Sequence, residues 1–257
     1  MNVLQNLMEL ANSQSTESIY RNLAKEILEN LDHMKRVTIY DISDLTNSSR
    51  TTIWRLVQKL GYPSFSDFRY ALQSAANQYT YYNRLIEAKY AETSDMLLKK
   101  TADEMKSSAK ILRDCVTPEL VEELTDELYK AQKVRFYTPF RMASIYSLQI
   151  NLDKCGKDTG YYCLLPDMLE DAKKLNEESI VMINTLEYAE TLNMTDVFDM
   201  MKKKGAKIWL AGESSTQFAH YANRRIMNLS SSPVSWMYAF ESMMIVLSER
   251  FRNKFLD

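Results

Sequence analysis

TIYDISDLTNSSRTTIWRLVQKLGY, residues Thr38 to Tyr62, is the stretch whose reading decides the fold. Its second half carries Ile53, Leu56, Val57 and Leu60 at i, i+3, i+4 and i+7, one apolar stripe of an α-helix. Thr51, Arg55, Gln58 and Lys59 fall on the opposite side, with Trp54 beside them. One side buries and the other presents donors. The first half opens with Thr38 and Asp41, spaced as a capping box, and Ile42 and Leu45 give the helix they start an inner face. Ser43 is small where two crossing helices must come close. Asn47 sits in the turn, and Asn tolerates the left-handed conformation better than any residue but Gly. Ser49 is a good N-cap for the second helix, Gly61 stops it and Pro63 prevents it from restarting. A plain amphipathic hairpin would share the periodicity. Ser43, the Asn47 turn and the capped second helix make the stretch more specific: a helix-turn-helix whose second helix is built to lie on DNA.

The flanks extend this unit. Met1 to about Ala11 reads as a short helix, and Glu17 to Leu31 as a longer one with Ile19, Leu23, Ile27 and Leu31 in register. Ser64 to roughly Ala76 continues as helix, with Phe65, Phe68 and Leu72 turned back on the bundle. The expected first domain is all-helical and spans 1–78. Residues 79–114 read as a polar helical linker that also packs between protomers. From 115 to 257 the rhythm changes. Short β-prone runs at 134–137, 161–164, 179–184, 206–211 and 224–229 alternate with helical segments, ending in a helix from Pro233 to Phe255. Such alternation predicts a three-layer α/β domain with a parallel sheet and helices on both faces.

Composition sets the class. The chain has 257 residues, 46% hydrophobic and 26% charged, which suits a globular protein with a sizeable core. No apolar run approaches the ~18 residues of a membrane span. The opening MNVLQNLMEL lacks the basic start and long apolar core of a signal peptide, so a cytoplasmic protein with reduced thiols is expected. Cys115, Cys155 and Cys163 are too few and badly spaced for a disulfide framework or a zinc site. His33 and His220 fall in different domains and suggest no metal pair; no metal or cofactor is expected. The net charge of −2 does not favour nucleic acid, and the first 80 residues hold eight basic and eight acidic side chains. The positive charge is local: Arg50, Arg55, Lys59 and Arg69 face only Asp67 between Ser48 and Leu72. Phosphate contacts dominate affinity. One copy should therefore bind double-stranded DNA weakly, and a homodimer or homotetramer with paired half-sites is expected.

The order of these parts resembles the RpiR/MurR family of bacterial transcriptional regulators, which join an N-terminal helix-turn-helix to a C-terminal sugar isomerase (SIS) domain. Ser49, Thr52, Arg55, Leu60, Gly61, Tyr62, Phe65 and Phe68 occupy positions of the family's pattern. In the second domain, Lys133 to Tyr162 resembles the first SIS strand-helix-strand, with Gly156 before the second strand. The resemblance implies a SIS-like, flavodoxin-like second domain that dimerises and senses a sugar phosphate, and a protein that controls sugar-metabolism genes rather than an enzyme. It implies effector contacts at Tyr137, Arg141, Ser144, Tyr188, Glu190 and Thr191.

Two departures cut against that effector. The family's first phosphate loop has a Gly-x-Gly-x-Ser form; an ungapped fit here puts Tyr137, Pro139 and Arg141 on those positions. The second has a Ser-x-Ser-Gly-x-Thr form, and of residues 186–191 only Thr191 keeps it. Gly lets successive N–H groups aim at a phosphate; Pro139 lacks an N–H, and Glu187 and Glu190 would repel one. Arg141 in place of a hydroxyl fits either a bidentate grip on an acidic ligand or a salt bridge to Glu187 or Glu190, and the salt bridge is preferred. Three readings follow. The protein is a DNA-binding regulator with a sensing domain, or a DNA-binding regulator whose SIS-like domain is a dimerisation scaffold, or, least favoured, a sugar-phosphate isomerase. The DNA-contacting residues expected are Ser49, Arg50, Thr51, Thr52, Trp54, Arg55, Gln58 and Lys59.

Overall fold

The computed structural model describes residues 3–79, 84–138, 141–184, 194–212, 217–228 and 232–257. The chain divides into two compact units. One holds Met1–Arg84 with Cys163–Glu170 and Glu187–Met194; the other holds Leu85–Tyr162, Asp171–Leu186 and Thr195–Asp257.

In the first unit, the described residues up to Arg84 form five α-helices: α1 (Val3–Ser13), α2 (Ile19–Glu29), α3 (Ile39–Leu45), α4 (Arg50–Lys59) and α5 (Phe65–Asn77). Its core is drawn from every helix: Leu7, Leu23, Ile27, Ile42, Ile53, Leu56, Val57, Phe68 and Leu72 have at most 1% of their surface exposed. The local signals act as the sequence predicts. Thr38 Oγ1 accepts from the Asp41 N–H at 3.3 Å and Asp41 Oδ2 accepts from the Thr38 N–H at 2.7 Å, closing the capping box. These bonds from Thr38, backbone first, hold the Asp41 carboxyl below its ordinary pKa. Asn47 takes a positive φ of 44° and Gly61 one of 87°, so the α3–α4 turn and the end of α4 are made by the two residues suited to them. One expectation fails. Leu45 is 40% exposed, and Thr46 is buried in its place. Thr46 can be buried because its hydroxyl donates to the Ile42 carbonyl at 2.6 Å, which meets its polar need inside the turn.

The second unit is built on a five-stranded sheet of β1 (Lys133–Tyr137), β2 (Asp158–Tyr162), β3 (Ser179–Asn184), β4 (Lys207–Gly212) and β5 (Arg224–Asn228). The strands are all parallel, in the order β2-β1-β3-β4-β5. This is the doubly wound order whose switch point lies between β1 and β3. The unit's helices are α6 (Ser94–Cys115), α7 (Pro118–Lys130), α8 (Ala143–Lys154), α10 (Thr195–Lys203) and α11 (Pro233–Phe255), while α9 (Leu165–Ala172) falls to the first unit up to Glu170 and to the second from Asp171. Register puts Phe136, Tyr161, Met182 and Trp209 in one row, on one face. This is the face of the α8 and α7 helices, since Tyr161 meets Tyr146 and Trp209 Nε1 donates to Glu127 at 3.2 Å. Arg135, Val181 and Ile208 form a row on the other face.

β2 begins three residues earlier than the alternation suggests. Its start, Asp158-Thr159-Gly160, has poor strand propensity. Gly160 is there for space: a Cβ would lie 2.7 Å from Tyr162 and 2.9 Å from the Arg135 side chain that crosses it. The 22-residue α6 packs along α11 inside the second unit, burying Glu104, Ser108 and Ile111.

Candidate functional site

Helix α4 is positioned by its own apolar side. Ile53, Leu56, Val57 and Leu60 are wholly buried, so the opposite side must face out. Ser49 is the N-cap; its Oγ accepts from the Thr52 N–H at 3.1 Å and lies 2.9 Å from Thr52 Oγ1. The helix N-terminus is thereby satisfied without a charge, and its positive dipole end stays open to an anion.

The predicted residues divide by what already engages them. Ser49, Arg50, Thr51, Trp54, Arg55 and Lys59 are exposed, Trp54 by 51%. The Arg55 guanidinium engages no partner among the described residues. Gln58 is half-buried and donates from Nε2 to the Tyr62 carbonyl at 3.1 Å, so its amide closes the end of α4. Thr52 is half-buried against Ser49. Arg50 donates from Nη1 to Tyr40 Oη at 3.0 Å, with its guanidinium carbon 4.9 Å from the Tyr40 ring centre. Lys59 Nζ lies 5.0 Å from the Tyr20 ring centre. Tyr40 and Tyr20 escape the sequence reading because they sit on α3 and α2, and helical periodicity within α4 says nothing of them.

The second region is the carboxyl edge of the sheet, where open α/β folds bind ligands beside the switch point. Tyr137 ends β1 fully buried, and its hydroxyl donates to Asp171 Oδ2 at 2.8 Å. Burial first, and then the Asp171 carboxylate, raise the Tyr137 pKa far above its ordinary value. The same carboxylate accepts from Arg135 Nε at 3.0 and 3.1 Å, and Arg135 also reaches Asp158 Oδ2 at 2.9 Å. Arg141 is exposed, donates to Tyr146 Oη at 3.1 Å and lies 5.4 Å from the Tyr161 ring centre. Tyr161 Oη accepts from the Met142 N–H at 2.8 Å and from Thr138 Oγ1 at 3.1 Å, which ties the turn after β1 to β2. Ser144, in the first turn of α8, donates its N–H to Glu241 Oε1 of α11 at 3.1 Å. Its Oγ is buried without a hydrogen-bond partner among the described residues. Tyr188, Glu190 and Thr191 lie outside the described residues, as do Pro139 and Glu187. Structure therefore brings Tyr137, Arg141 and Ser144 to one edge of the sheet, where Asp171 engages the Tyr137 hydroxyl, Tyr146 the Arg141 guanidinium and Glu241 the Ser144 N–H.

Among the described residues no group of three or more His, Cys, Asp or Glu is placed to hold a metal ion, and no helix is long and apolar enough to cross a membrane.

These features define a two-unit protein: a helix-turn-helix bundle with an exposed polar and cationic second helix, followed by a doubly wound α/β unit. Residues 1–78 match the family model described as a helix-turn-helix domain, rpiR family. No curated protein matches the chain. Among solved structures, the chain is similar to the Vibrio vulnificus NanR protein complexed with ManNAc-6P, at 16% identity and a TM-score of 0.45, covering 99% of this chain and 92% of that one. It is similar to the sugar isomerase domain of an RpiR transcription factor from Sphaerobacter thermophilus, at 14% identity and a TM-score of 0.46, over 61% of this chain and 89% of that one. A putative sugar-phosphate isomerase from Listeria monocytogenes is similar at 11% identity and a TM-score of 0.43, over 64% and 99%.

Proposed function

We propose that this protein is a DNA-binding transcriptional regulator that presents α4 to the major groove of a double-stranded operator. The observation that carries this is the two-sided α4: a stripe buried completely, and a face of Arg50, Thr51, Trp54, Arg55 and Lys59 left exposed at a capped helix N-terminus. Phosphates meet the positive helix end and the cations; base edges meet Arg55 and Thr51. The first unit's near-balanced charge supports pairing of two copies through the α/β unit, so that two weak half-sites act together. Selection from a pool of randomised duplexes with the full chain tests this. An enriched inverted or direct repeat is the expected result, and no enrichment above bulk DNA removes the reading.

For the α/β unit, a specific observation favours the scaffold reading over phosphosugar sensing. The first-turn N–H of α8 beside the switch point is engaged by the carboxylate of Glu241. An anionic ligand there would have to displace a like charge. A thermal-shift panel of sugar phosphates, free sugars and acidic metabolites decides between the two. A ligand at about 100 times its Kd stabilises by roughly 2.7 kcal/mol. A shift with one sugar phosphate restores the sensing role, and variants at Tyr137, Arg141, Ser144, Tyr188, Glu190 and Thr191 then test its contacts. Turnover of an aldose phosphate would instead favour an isomerase.

A further inference from the structure

The cations at the two ends of α4 are each held by a tyrosine from another helix, and the cation between them is not. Arg50, the first residue of α4, is bonded to and stacked over Tyr40 of α3. Lys59, the last, sits over the ring of Tyr20 of α2. Arg55 lies between them, exposed, with its fork unengaged among the described residues. At ~1.5 Å of rise per residue, Arg50 and Lys59 are about 13 Å apart along the helix axis. This is comparable with the major groove's width of ~12 Å.

We infer that Tyr40 and Tyr20 are positioning residues that set Arg50 and Lys59 as clamps on backbone phosphates at either end of α4, leaving Arg55 to read base edges. The inference rests on the DNA-binding reading above and deepens it. A phosphate contact fixes register and carries no sequence information, so it is served by a cation held in one place before DNA arrives. Holding it over an aromatic ring removes side-chain freedom that binding would otherwise have to remove. The holder is neutral in both cases. A carboxylate would fix the cation equally well but cancel the charge a phosphate needs; tyrosine fixes it and leaves the charge in place. Arg50 gives one N–H to Tyr40 and keeps the rest for phosphate oxygens. Base reading makes the opposite demand. A guanidinium gripping guanine at O6 and N7 needs both arms of its fork and freedom to align with the base plane, and Arg55 has both.

The test uses the full chain and two probes: a random-sequence duplex titrated across salt, and a pool of randomised duplexes for selection. R50A and Y40A should each lower the slope of log K against log salt by about 0.9, one phosphate contact. Both should weaken all sequences alike and leave the selected site unchanged. Y40A should add nothing in an R50A background, because the tyrosine acts only through that arginine. Y40F, which keeps the ring and loses the hydroxyl, should fall between wild type and Y40A. Y20A and K59A should behave as the second such pair. R55A should instead flatten base preference at one position of the selected site. Tyr40 is 60% exposed, so its variants should fold, and a thermal melt of each verifies this. Additive losses for Y40A and R50A, an unchanged slope, or a changed site in Y40A overturn the inference while leaving DNA binding intact. A wild-type chain that binds neither probe overturns the DNA reading and this inference with it.

Discussion

The outer face of α4 and the α/β unit treat charge in different ways. On α4, Arg50 and Lys59 rest on neutral rings and Arg55 on nothing among the described residues. In the α/β unit, several charges are answered by opposite charges or hydroxyls of the chain itself, although exposed Arg141 rests on Tyr146 and Tyr161 much as Arg50 rests on Tyr40. Arg135 is shared between Asp171 and Asp158, Arg250 and Lys254 converge on Glu122, and buried Glu104 is bonded by Lys100, Ser232 and Ser235. A buried charge must be paired or the fold fails. An exposed one need not be, and leaving it unpaired at a helix N-terminus reserves it for an anion from outside. The contrast predicts that the two sets of residues separate cleanly by experiment: one governs stability, the other binding.

Asp171 should give the largest effect. It is 3% exposed and serves both the buried Arg135 and Tyr137. Asp171→Ala leaves the buried Arg135 with Asp158 as its one remaining carboxylate partner and the buried Tyr137 hydroxyl without its acceptor, at a cost of up to about 3–5 kcal/mol. Urea unfolding, followed by amide exchange in β1 and β3, should register this loss. Gly160→Ala presses on the same arginine and should cost roughly 1–3 kcal/mol through overpacking. Neither change should alter DNA affinity of the protein that remains folded. If D171A weakened binding several-fold while β1 kept its protection, the separation would be wrong.

Glu104 offers a pH test of the same contrast. Burial raises its pKa, but hydrogen bonds from Lys100, Ser232 and Ser235 outweigh burial and bring it from 4.5 to about 2. A depressed carboxylate pKa contributes stability above the unfolded value, and that contribution is lost as pH falls. The loss should therefore run from about pH 4.5 down to about pH 2. At ~1.4 kcal/mol per unit it amounts to about 3 kcal/mol at full size. Glu104→Gln should be less stable at neutral pH and show a flatter profile across that window. Parallel acid profiles for wild type and E104Q would show that Glu104 contributes nothing there.

What was legible in the sequence follows the same division. Local devices could be read: the Thr38–Asp41 box, Asn47, Ser49 and Gly61 act over a few residues, and their chemistry is their position. Strands β3 and β5 and helix α11 announced themselves by composition and by Pro233. What could not be read is what neighbours in space decide. Leu45 suits an inner face by spacing, but Thr46 takes the buried place by bonding to the Ile42 carbonyl. Asp158 and Gly160 look like turn residues, yet Arg135 needs one as an acceptor and the other as room. Glu104 made α6 look like a solvated connector, because its partners Ser232 and Ser235 come more than 120 residues later. Tyr40 and Tyr20 are invisible for the same reason.

Arg55 should show the converse of Asp171. It is exposed and unengaged among the described residues, so Arg55→Ala should change folding stability by less than about 0.5 kcal/mol. Operator affinity should fall by about 1–3 kcal/mol if the guanidinium grips a base. Titrating the selected duplex with wild type and R55A, alongside a thermal melt of each, gives both numbers. Unchanged affinity would remove Arg55 from the interface.

Ser49 sits on the boundary between the two sets and so sharpens the comparison most. Its Oγ is the N-cap of α4, and it is exposed on the side offered to DNA. Ser49→Ala should cost about 1 kcal/mol of stability through the lost cap. That loss alone leaves open whether DNA also needs the hydroxyl. Ser49→Asn and Ser49→Asp both restore the cap, and aspartate adds a favourable charge for the helix dipole. Both variants should therefore melt near wild type. Against a phosphate the two differ, because asparagine is neutral and aspartate repels. S49D should lose affinity at low salt and regain part of it, relative to wild type, as salt screens the repulsion. S49N should bind much as wild type. Equal binding by S49D and S49N would mean that no phosphate comes near the start of α4, and the helix would then have to meet DNA by its other end.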